Sequence, residues 1–265
     1  MLLTVDIGNT NIVLGLFDGP REGAGKDGAL LRDWRMRTDA RMTADEMALT
    51  FRGLLGEYAD KVTGIAALST VPAVLRELRV MVDRYWPQLP RVIVEPGVRT
   101  GVPLLCDNPR EIGADRIVNT LAAYTLYGGP AIVVDFGTST NFDVVSARGE
   151  FLGGALAPGI EISIDALAIR AAQLVKVQLV RPRSVIGKNT VEALQSGLLY
   201  GFAGQVDGLV RRIAAELSPR AEQDVAVIAT GGLAPLLIAE SQTITHHAPH
   251  LTLLGLRMVF ARNIT

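Results

Sequence analysis

Short apolar runs separated by polar turns predict how the first half of the chain folds. Residues 2–5 and 12–17 are apolar and flank the turn segment 6–11, a pattern typical of two strands joined by a tight turn. Apolar and basic side chains alternate over residues 34–37, which predicts a third strand. The chain is therefore expected to open with three strands.

A helix is predicted to follow these strands. Thr43 with Glu46 three residues later is a capping box, and apolar residues recur at helical spacing from 47 to 58. The remaining elements of this half are expected in the order strand, helix, strand, helix, near residues 64–69, 73–85, 92–94 and 113–127. The predicted order of the first half is β-β-β-α-β-α-β-α.

The second half repeats the opening order of the first. An apolar run at 131–134 leads to Asp135, an apolar residue and a glycine, just as residues 2–5 lead to Asp6, an apolar residue and a glycine. Two such hairpins, nearly half the chain apart, indicate an internal duplication. The other elements expected here are strands near 141–146, 150–155 and 225–229, and helices near 161–174, 191–217 and 254–261.

The repeat predicts an α/β fold of two similar lobes, residues 1–114 and 115–265, facing each other across a central cleft. The 265 residues suffice for two compact lobes, and a hydrophobic fraction of 49% with 20% charged residues predicts a full core. With a net charge of −1 the chain lacks the excess of basic residues that binds a polyanion, so nucleic acid is not expected as a partner.

The cysteine count and the apolar runs bear on location. A single cysteine, Cys106, excludes an intramolecular disulfide and fits a reducing compartment. The chain begins on a strand with no signal-peptide pattern, and no apolar run approaches the ~20 residues that a membrane helix needs. We therefore predict a cytoplasmic protein that is not inserted in a membrane.

The two hairpins have the chemistry to hold a triphosphate. Gly8 and Gly137 permit turns that let the backbone approach phosphate, and Asp6 and Asp135 supply hard oxygens for a cation such as Mg²⁺ or for its water. The possible donors to phosphate oxygens are Asn9, Thr10, Thr138, Ser139, Thr140 and Asn141. The alternative for a single hairpin is a turn whose Asp and Asn bond their own backbone. The turn at Gly231 and Gly232 either lets an adenine ring approach or simply ends a strand.

A third carboxylate is the candidate catalytic group. Asp115 falls at the start of a predicted helix between the duplicated units, where it could accept the proton of an alcohol that receives a phosphoryl group. The neighbouring Arg116 could bind an anionic part of the substrate. The alternative is that Asp115 only favours the first turn of its helix, as carboxylates do.

Three other patterns are weaker. Residues 23–28 spell G-x-G-x-x-G but precede a strand-like segment, so we interpret them as a flexible loop and not as a dinucleotide fingerprint. Asp27 follows Lys26 where a P-loop needs Ser or Thr. The three histidines, His246, His247 and His250, are interpreted as a surface loop, and Cys106 as structural.

The chain resembles the type III pantothenate kinases of the acetate kinase, sugar kinase, heat-shock ATPase and actin superfamily, nearly from end to end. The resemblance rests on DIGNTNIVLGLFDG, DNPREIGADRIVN, VVDFGTSTNFDVVSARGEFLGGALAPGIEIS, IGKNTVEALQSG and VIATGGLAP. It implies two ribonuclease H-like lobes of the actin-like ATPase fold, in a homodimer with the substrate site near the subunit interface.

The resemblance also implies roles for individual residues. Asp115 would be the proton acceptor for the pantothenate hydroxyl, and Asp135 would hold a monovalent cation, K⁺ or NH₄⁺. Pantothenate would contact Gly113, Ala114, Asp115, Arg116 and Thr190. ATP would contact Asp6, Ile7, Gly8, Asn9, Thr10, Asn11, Ile12, Val13 and Thr138.

The chain departs from the family pattern at three positions. Ser139 and Asn141 replace an alanine and a threonine of the second hairpin but keep small or polar groups, so phosphate contact is expected to survive. Cys106 stands where some members have a tyrosine near the substrate, which affects local contacts with pantothenate and not the reaction.

The sequence therefore predicts ATP-dependent phosphorylation of pantothenate, the first step towards coenzyme A. Two alternatives stay open. One is a kinase for another small alcohol such as a sugar. The other is a catalytically silent nucleotide-binding regulator, against which the presence of Asp6, Asp115 and Asp135 argues.

Overall fold

The computed structural model describes residues 1–18, 29–170, 177–217 and 224–264, and these form two compact units. Unit 1 comprises Met1–Val102, Asn108–Leu126 and Thr252–Thr265, and unit 2 comprises Pro103–Asp107 and Tyr127–Leu251. The predicted lobes, residues 1–114 and 115–265, are defined by the sequence repeat, whereas the two units are defined by which residues pack together. The lobe boundaries stay a prediction.

Unit 1 is a five-stranded sheet with helices on both faces. Its strands are β1 (Leu2–Ile7), β2 (Asn11–Phe17), β3 (Leu30–Arg37), β4 (Gly64–Ser69) and β5 (Arg91–Ile93), in the order β3-β2-β1-β4-β5. The central strand β1 is antiparallel to β2 and parallel to β4. Its helices are α1 (Ala44–Leu55), α2 (Pro72–Tyr85), α3 (Ala114–Tyr127) and α7 (Leu251–Asn263).

Alternate side chains of β1 point to opposite faces of the sheet, and helices of unit 1 pack on both faces. Leu3, Val5 and Ile7 point into a core formed with α1 and α2. The opposite face meets α7, since a Cβ atom on Gly15 would lie 2.8 Å from Leu253 and one on Gly64 would lie 2.5 Å from Phe260. The predicted capping box of α1 is confirmed, with Thr43 and Glu46 bonded reciprocally.

Unit 2 has the same strand order as unit 1. Its strands are β6 (Ala131–Phe136), β7 (Ser139–Val145), β8 (Phe151–Pro158), β9 (Ala226–Thr230) and β10 (His246–His247), in the order β10-β9-β6-β7-β8. With β6 matched to β1, every strand of one sheet has a counterpart in the other. The helices are α4 (Ile160–Arg170), α5 (Thr190–Leu217) and α6 (Ala234–Ile238). The predicted α/β duplication is confirmed.

The structure corrects several details of the sequence interpretation. His246 and His247 form the edge strand β10 and not a loop, and α6 was not predicted. The buried apolar side chains of α5 lie in the core of unit 2. The loop at 23–28 and the predicted last turn of α4 at 171–174 lie outside the described residues. None of the described helices is long and apolar enough to span a membrane.

A buried carboxylate joins α5 to the segment that leads into β10. Asp207 is only 6% exposed and accepts hydrogen bonds from the Ser241 hydroxyl (2.7 Å), the Gln242 amide (3.0 Å) and both the amide and the hydroxyl of Thr243 (3.1 and 2.8 Å). Burial alone would raise the pKa of Asp207, but these hydrogen bonds outweigh it and hold the pKa below its ordinary value of 3.8. The ionised form therefore stabilises unit 2.

We predict that Asp207→Asn lowers the free energy of unfolding by about 2 kcal/mol, because an amide cannot accept all four hydrogen bonds. Denaturant titration of both proteins measures the difference. Since the folded-state pKa is depressed, the advantage of the wild type should be complete above the ordinary pKa of 3.8 and disappear as the pH falls through the folded-state value. The exposed Asp60→Asn is the control, and equal losses in the two variants would contradict the prediction.

Candidate active site

The hairpin between β1 and β2 is held by bonds that leave its tip exposed. The amide of Gly8 donates to the Asn11 carbonyl (2.9 Å). Thr38, just after β3, donates from its hydroxyl to the Gly8 carbonyl (2.7 Å) and from its amide to the Thr10 carbonyl (3.0 Å). Asn9 and Thr10 are exposed at the tip. A rigid turn with its carbonyls bonded inward can present donors to an anion.

Asp6 lies at the carboxyl end of the central strand of unit 1. It points away from the core face of Val5 and Ile7, because successive residues of a strand point to opposite faces. Ligands of α/β sheets bind outside the carboxyl ends of parallel strands, where β1 and β4 end side by side. Asp6 is therefore positioned at the edge where this architecture places ligands.

Asp115 lies in the first turn of α3, and its orientation depends on a glycine. Its Oδ1 accepts a hydrogen bond from the Arg116 amide (2.9 Å). A Cβ atom on Gly113 would overlap that oxygen, so only glycine leaves room for the carboxylate there. The helix is anchored to α7 by the Thr252 hydroxyl, which donates to the buried Asn119 side chain (2.9 Å). The sequence G-A-D-R thus fixes the start of the helix and the direction of Asp115.

The carboxylates of Asp6 and Asp115 repel each other within unit 1. Burial and the negative charge of Asp115 raise the pKa of Asp6 to about 7, against the opposing attraction of Arg35. Burial also raises the pKa of Asp115, while the amide and the charge of Arg116 lower it. Two interacting carboxylates in a partly desolvated site favour the binding of a proton or a cation. The predicted residues Asp6, Gly113, Asp115 and Arg116 all belong to this unit.

The equivalent hairpin of unit 2 is one residue shorter. Ile7 pairs with Ile12 in the first hairpin, whereas Phe136 pairs with Thr140 in the second, and the Gly137 amide donates to the Ser139 carbonyl (3.0 Å). Thr138 is exposed at its tip. The amide of Gly159 donates to the Thr138 carbonyl (3.1 Å), an approach that any Cβ atom on Gly159 would block.

Not every predicted phosphate donor of this hairpin is available. Thr140 is completely buried on the core face beside Phe136, so its hydroxyl cannot serve at the tip, contrary to the sequence prediction. Ser139 donates to the Asn141 side-chain oxygen (2.7 Å). The two residues that depart from the family pattern therefore bond each other, and Thr138 remains the exposed hydroxyl.

Two oxygens converge beside Gly231 in unit 2. A Cβ atom on Gly231 would lie 2.5 Å from the Phe136 carbonyl oxygen and 2.7 Å from Oδ1 of Asp135. Gly231 also has a φ of 90°, which an L-residue with a side chain adopts only under strain. Carboxylate and carbonyl oxygens are the ligands that a hard cation prefers. Here they flank a space that a side chain at position 231 could not enter. The residues present fit the predicted monovalent cation site.

Thr190 begins α5 and is exposed. The preceding Asn189 caps the helix, since its side-chain oxygen accepts from the Glu192 amide (2.9 Å). Thr190, Asp135 and Thr138 all belong to unit 2. Sequence reasoning attached no role to Thr38 or Arg35, although the alternation of basic and apolar residues along β3 was visible.

Known proteins that resemble this chain agree on a family. The type III pantothenate kinase model matches residues 2–212. A type III pantothenate kinase of Saccharopolyspora erythraea is 72% identical over 264 residues, which cover 99% of each chain.

Solved structures resemble the chain in fold. A protein from Campylobacter jejuni assigned to the Baf family of transcriptional activators has a TM-score of 0.59 and 19% identity, with 98% of each chain covered. A protein from Sinorhizobium meliloti assigned as a 2-dehydro-3-deoxygalactonokinase has a TM-score of 0.51 and 15% identity, with 99% of this chain and 98% of that chain covered. The likeness to a sugar kinase agrees with the predicted two-lobed fold.

We predict that Asp115→Asn lowers the pKa of Asp6 from about 7, because it removes a negative charge that disfavours ionisation of Asp6. NMR titration of the Asp6 carboxyl carbon, without nucleotide or Mg²⁺, measures this value. The exposed Asp60→Asn should leave it unchanged. An unchanged Asp6 titration in Asp115→Asn would show that the two carboxylates do not interact.

Proposed function

This chain belongs to the type III pantothenate kinase family, and we infer that it transfers the γ-phosphate of ATP to the primary hydroxyl of pantothenate. The product, 4′-phosphopantothenate, is the first intermediate on the route to coenzyme A. The observation that carries the inference is identity of 72% over 99% of the chain, in a protein that keeps Asp6, Asp115 and Asp135 at the ends of their elements.

We propose that Asp115 is the general base. A bond forms between the pantothenate oxygen and the γ-phosphorus, the bond from that phosphorus to the β,γ-bridging oxygen breaks, and ADP leaves. The hydroxyl proton passes to Asp115. A pKa raised by burial makes this carboxylate a stronger base than an exposed aspartate. Its position is fixed by Gly113 and the Arg116 amide, which orients it without occupying both oxygens.

The two hairpins would bind the phosphates of ATP through their exposed tips. Residues 6–13 supply the turn of unit 1, and Thr138 supplies a hydroxyl in unit 2. The Asp6 carboxylate, which Asp115 repels, fits a divalent cation and would hold Mg²⁺ directly or through water. When bound, Mg²⁺ supplies the positive charge that neutralises the phosphate oxygens.

Pantothenate is expected to lie against the start of α3. The guanidinium of Arg116 would bind its carboxylate, Gly113 and Ala114 would contact it through their backbone, and Thr190 would supply a hydroxyl. The homodimer is proposed from the family resemblance. The cytoplasmic location stays a prediction.

The experiment that tests the function uses purified protein with pantothenate, ATP, Mg²⁺ and K⁺. Mass spectrometry should detect phosphopantothenate. A panel of sugars and other small alcohols, scored by ATP consumption, distinguishes a kinase with another substrate. Nucleotide binding without turnover of any alcohol would favour a silent regulator and overturn the proposal.

We predict that Asp115→Asn lowers kcat by about 10²–10⁴-fold while nucleotide still binds, because a positioned base contributes about that much and Asp115 touches the alcohol and not the nucleotide. Steady-state kinetics and equilibrium binding of ATP measure the two effects. Asp107→Asn, which changes an exposed aspartate, is the control. Turnover close to that of the wild type would refute the assignment.

We predict that Asp135→Asn weakens activation by K⁺, because the neutral amide attracts a monovalent cation less than the carboxylate does. Activity is measured as a function of KCl concentration at constant ionic strength. The activating concentration should rise by an order of magnitude or more, by roughly the effect of one charge–ligand contact. An unchanged K⁺ titration would exclude Asp135 as a ligand.

A further inference from the structure

Arg35 of unit 1 lies in register with Asp6 across the sheet, two strands away. Asp6 pairs with Val13 on β2, and Val13 pairs with Arg35 on β3. Residues paired in this way point to the same face, and neighbouring strands lie roughly 4.8 Å apart, so the Cα atoms of Asp6 and Arg35 are about 10 Å apart. The residue between them is Val13, which is partly exposed.

The end of β3 is joined to the phosphate hairpin. Arg37 points to the same face as Arg35 and pairs with Asn11 of the hairpin, and the next residue, Thr38, bonds the carbonyls of Gly8 and Thr10. Arg35 is exposed, and it forms no ion pair or hydrogen bond with any residue that the structure describes. Its positive charge nevertheless acts on Asp6, whose pKa it lowers. An exposed guanidinium therefore lies beside the edge where the phosphates are proposed to bind.

The duplicated unit shows that the fold does not require a cation here. In unit 2, Asp135 pairs with Asn141, which pairs with Leu156 on β8. Leu156 is the counterpart of Arg35 and is 65% exposed. Charged residues often protect an exposed edge strand, but β8 is also an edge strand and has no charge at this position. The edge position of the strand therefore does not by itself account for Arg35.

We propose that Arg35 is a catalytic residue that binds a non-bridging oxygen of the γ-phosphoryl group of ATP and stabilises its charge during transfer. The proposal deepens the kinase function and rests on it for the identity of the acceptor alcohol. A planar guanidinium suits phosphate because it can donate two parallel hydrogen bonds. The positive charge of Arg35 would also offset the negative charges of Asp6 and of the phosphoryl group.

The test compares Arg35→Gln and Arg35→Lys with Arg32→Gln. Arg32 is a matched control because it is exposed on the same strand and points to the opposite face. Turnover of pantothenate should fall by about 10²-fold or more in Arg35→Gln, the usual loss when one donor to a developing negative charge is removed. Arg35→Lys should recover only part of it, since an ammonium cannot make the paired bonds. Arg32→Gln should match the wild type.

A binding experiment tests Arg35 without the alcohol. Calorimetry with ADP and with the non-hydrolysable β,γ-imido analogue of ATP, both with Mg²⁺, isolates the γ-phosphate. Arg35→Gln should bind the ATP analogue roughly tenfold more weakly and ADP as the wild type does. This result would stand even if pantothenate proved to be the wrong acceptor, so failure of the two proposals can be told apart.

Three results would overturn the role of Arg35. They are equal losses of affinity for ADP and the ATP analogue, turnover in Arg35→Gln within about twofold of Arg32→Gln, and full recovery of turnover in Arg35→Lys. If Arg35→Gln does not fold, judged by thermal unfolding, Arg35→Lys alone decides. It must then show reduced turnover and an affinity for ADP that is unchanged.

Discussion

The pairing of one central strand with two different neighbours is the constraint on which each unit depends. β1 runs antiparallel to β2 and parallel to β4, and β6 does the same with β7 and β9. The antiparallel neighbour requires a tight turn directly after the central strand. The parallel neighbour brings a second carboxyl end to the same edge. A hairpin and an open sheet edge therefore occur together, and an aspartate at this point is available to a ligand.

The site in unit 1 is costly to assemble because it contains two carboxylates. Burial raises the pKa of both Asp6 and Asp115, and the opposing charges of Arg35 and Arg116 do not outweigh it. Asp207 shows the contrast, since its residue is buried but its carboxylate has a lowered pKa because hydrogen bonds satisfy it. Carboxylates with strongly raised pKa values are common at functional sites, where a bound ligand can supply the compensating charge.

Much of this fold could be predicted from the sequence because its signals are local. The apolar runs of β1 and β6 and the capping box of α1 depend on residues close in the chain, and each was found. β10 was missed because two exposed histidines carry no apolar period, and only pairing with β9 makes them a strand. The long apolar α5 was found as a helix, but its core role depends on contacts with distant strands.

The candidate site could also be predicted only in part from the sequence. Asp6, Asp115 and Asp135 stand in recognisable motifs, so they could be named as candidate residues. The burial of Thr140 could not, because the second hairpin is one residue shorter and a shift of one residue moves a side chain to the other face. The repulsion between Asp6 and Asp115 joins residues far apart in sequence and needed the fold to be seen.

The two units keep one architecture but differ in residues beside the proposed ligand site. At the position in line with the aspartate, β3 carries Arg35 and β8 carries an exposed Leu156. A duplicated fold starts with equivalent residues at both positions, and packing cannot explain the difference because both side chains are exposed. The divergence is explained if the units bind different groups. Unit 1, with Arg35, would then take the charge of the phosphoryl group that is transferred.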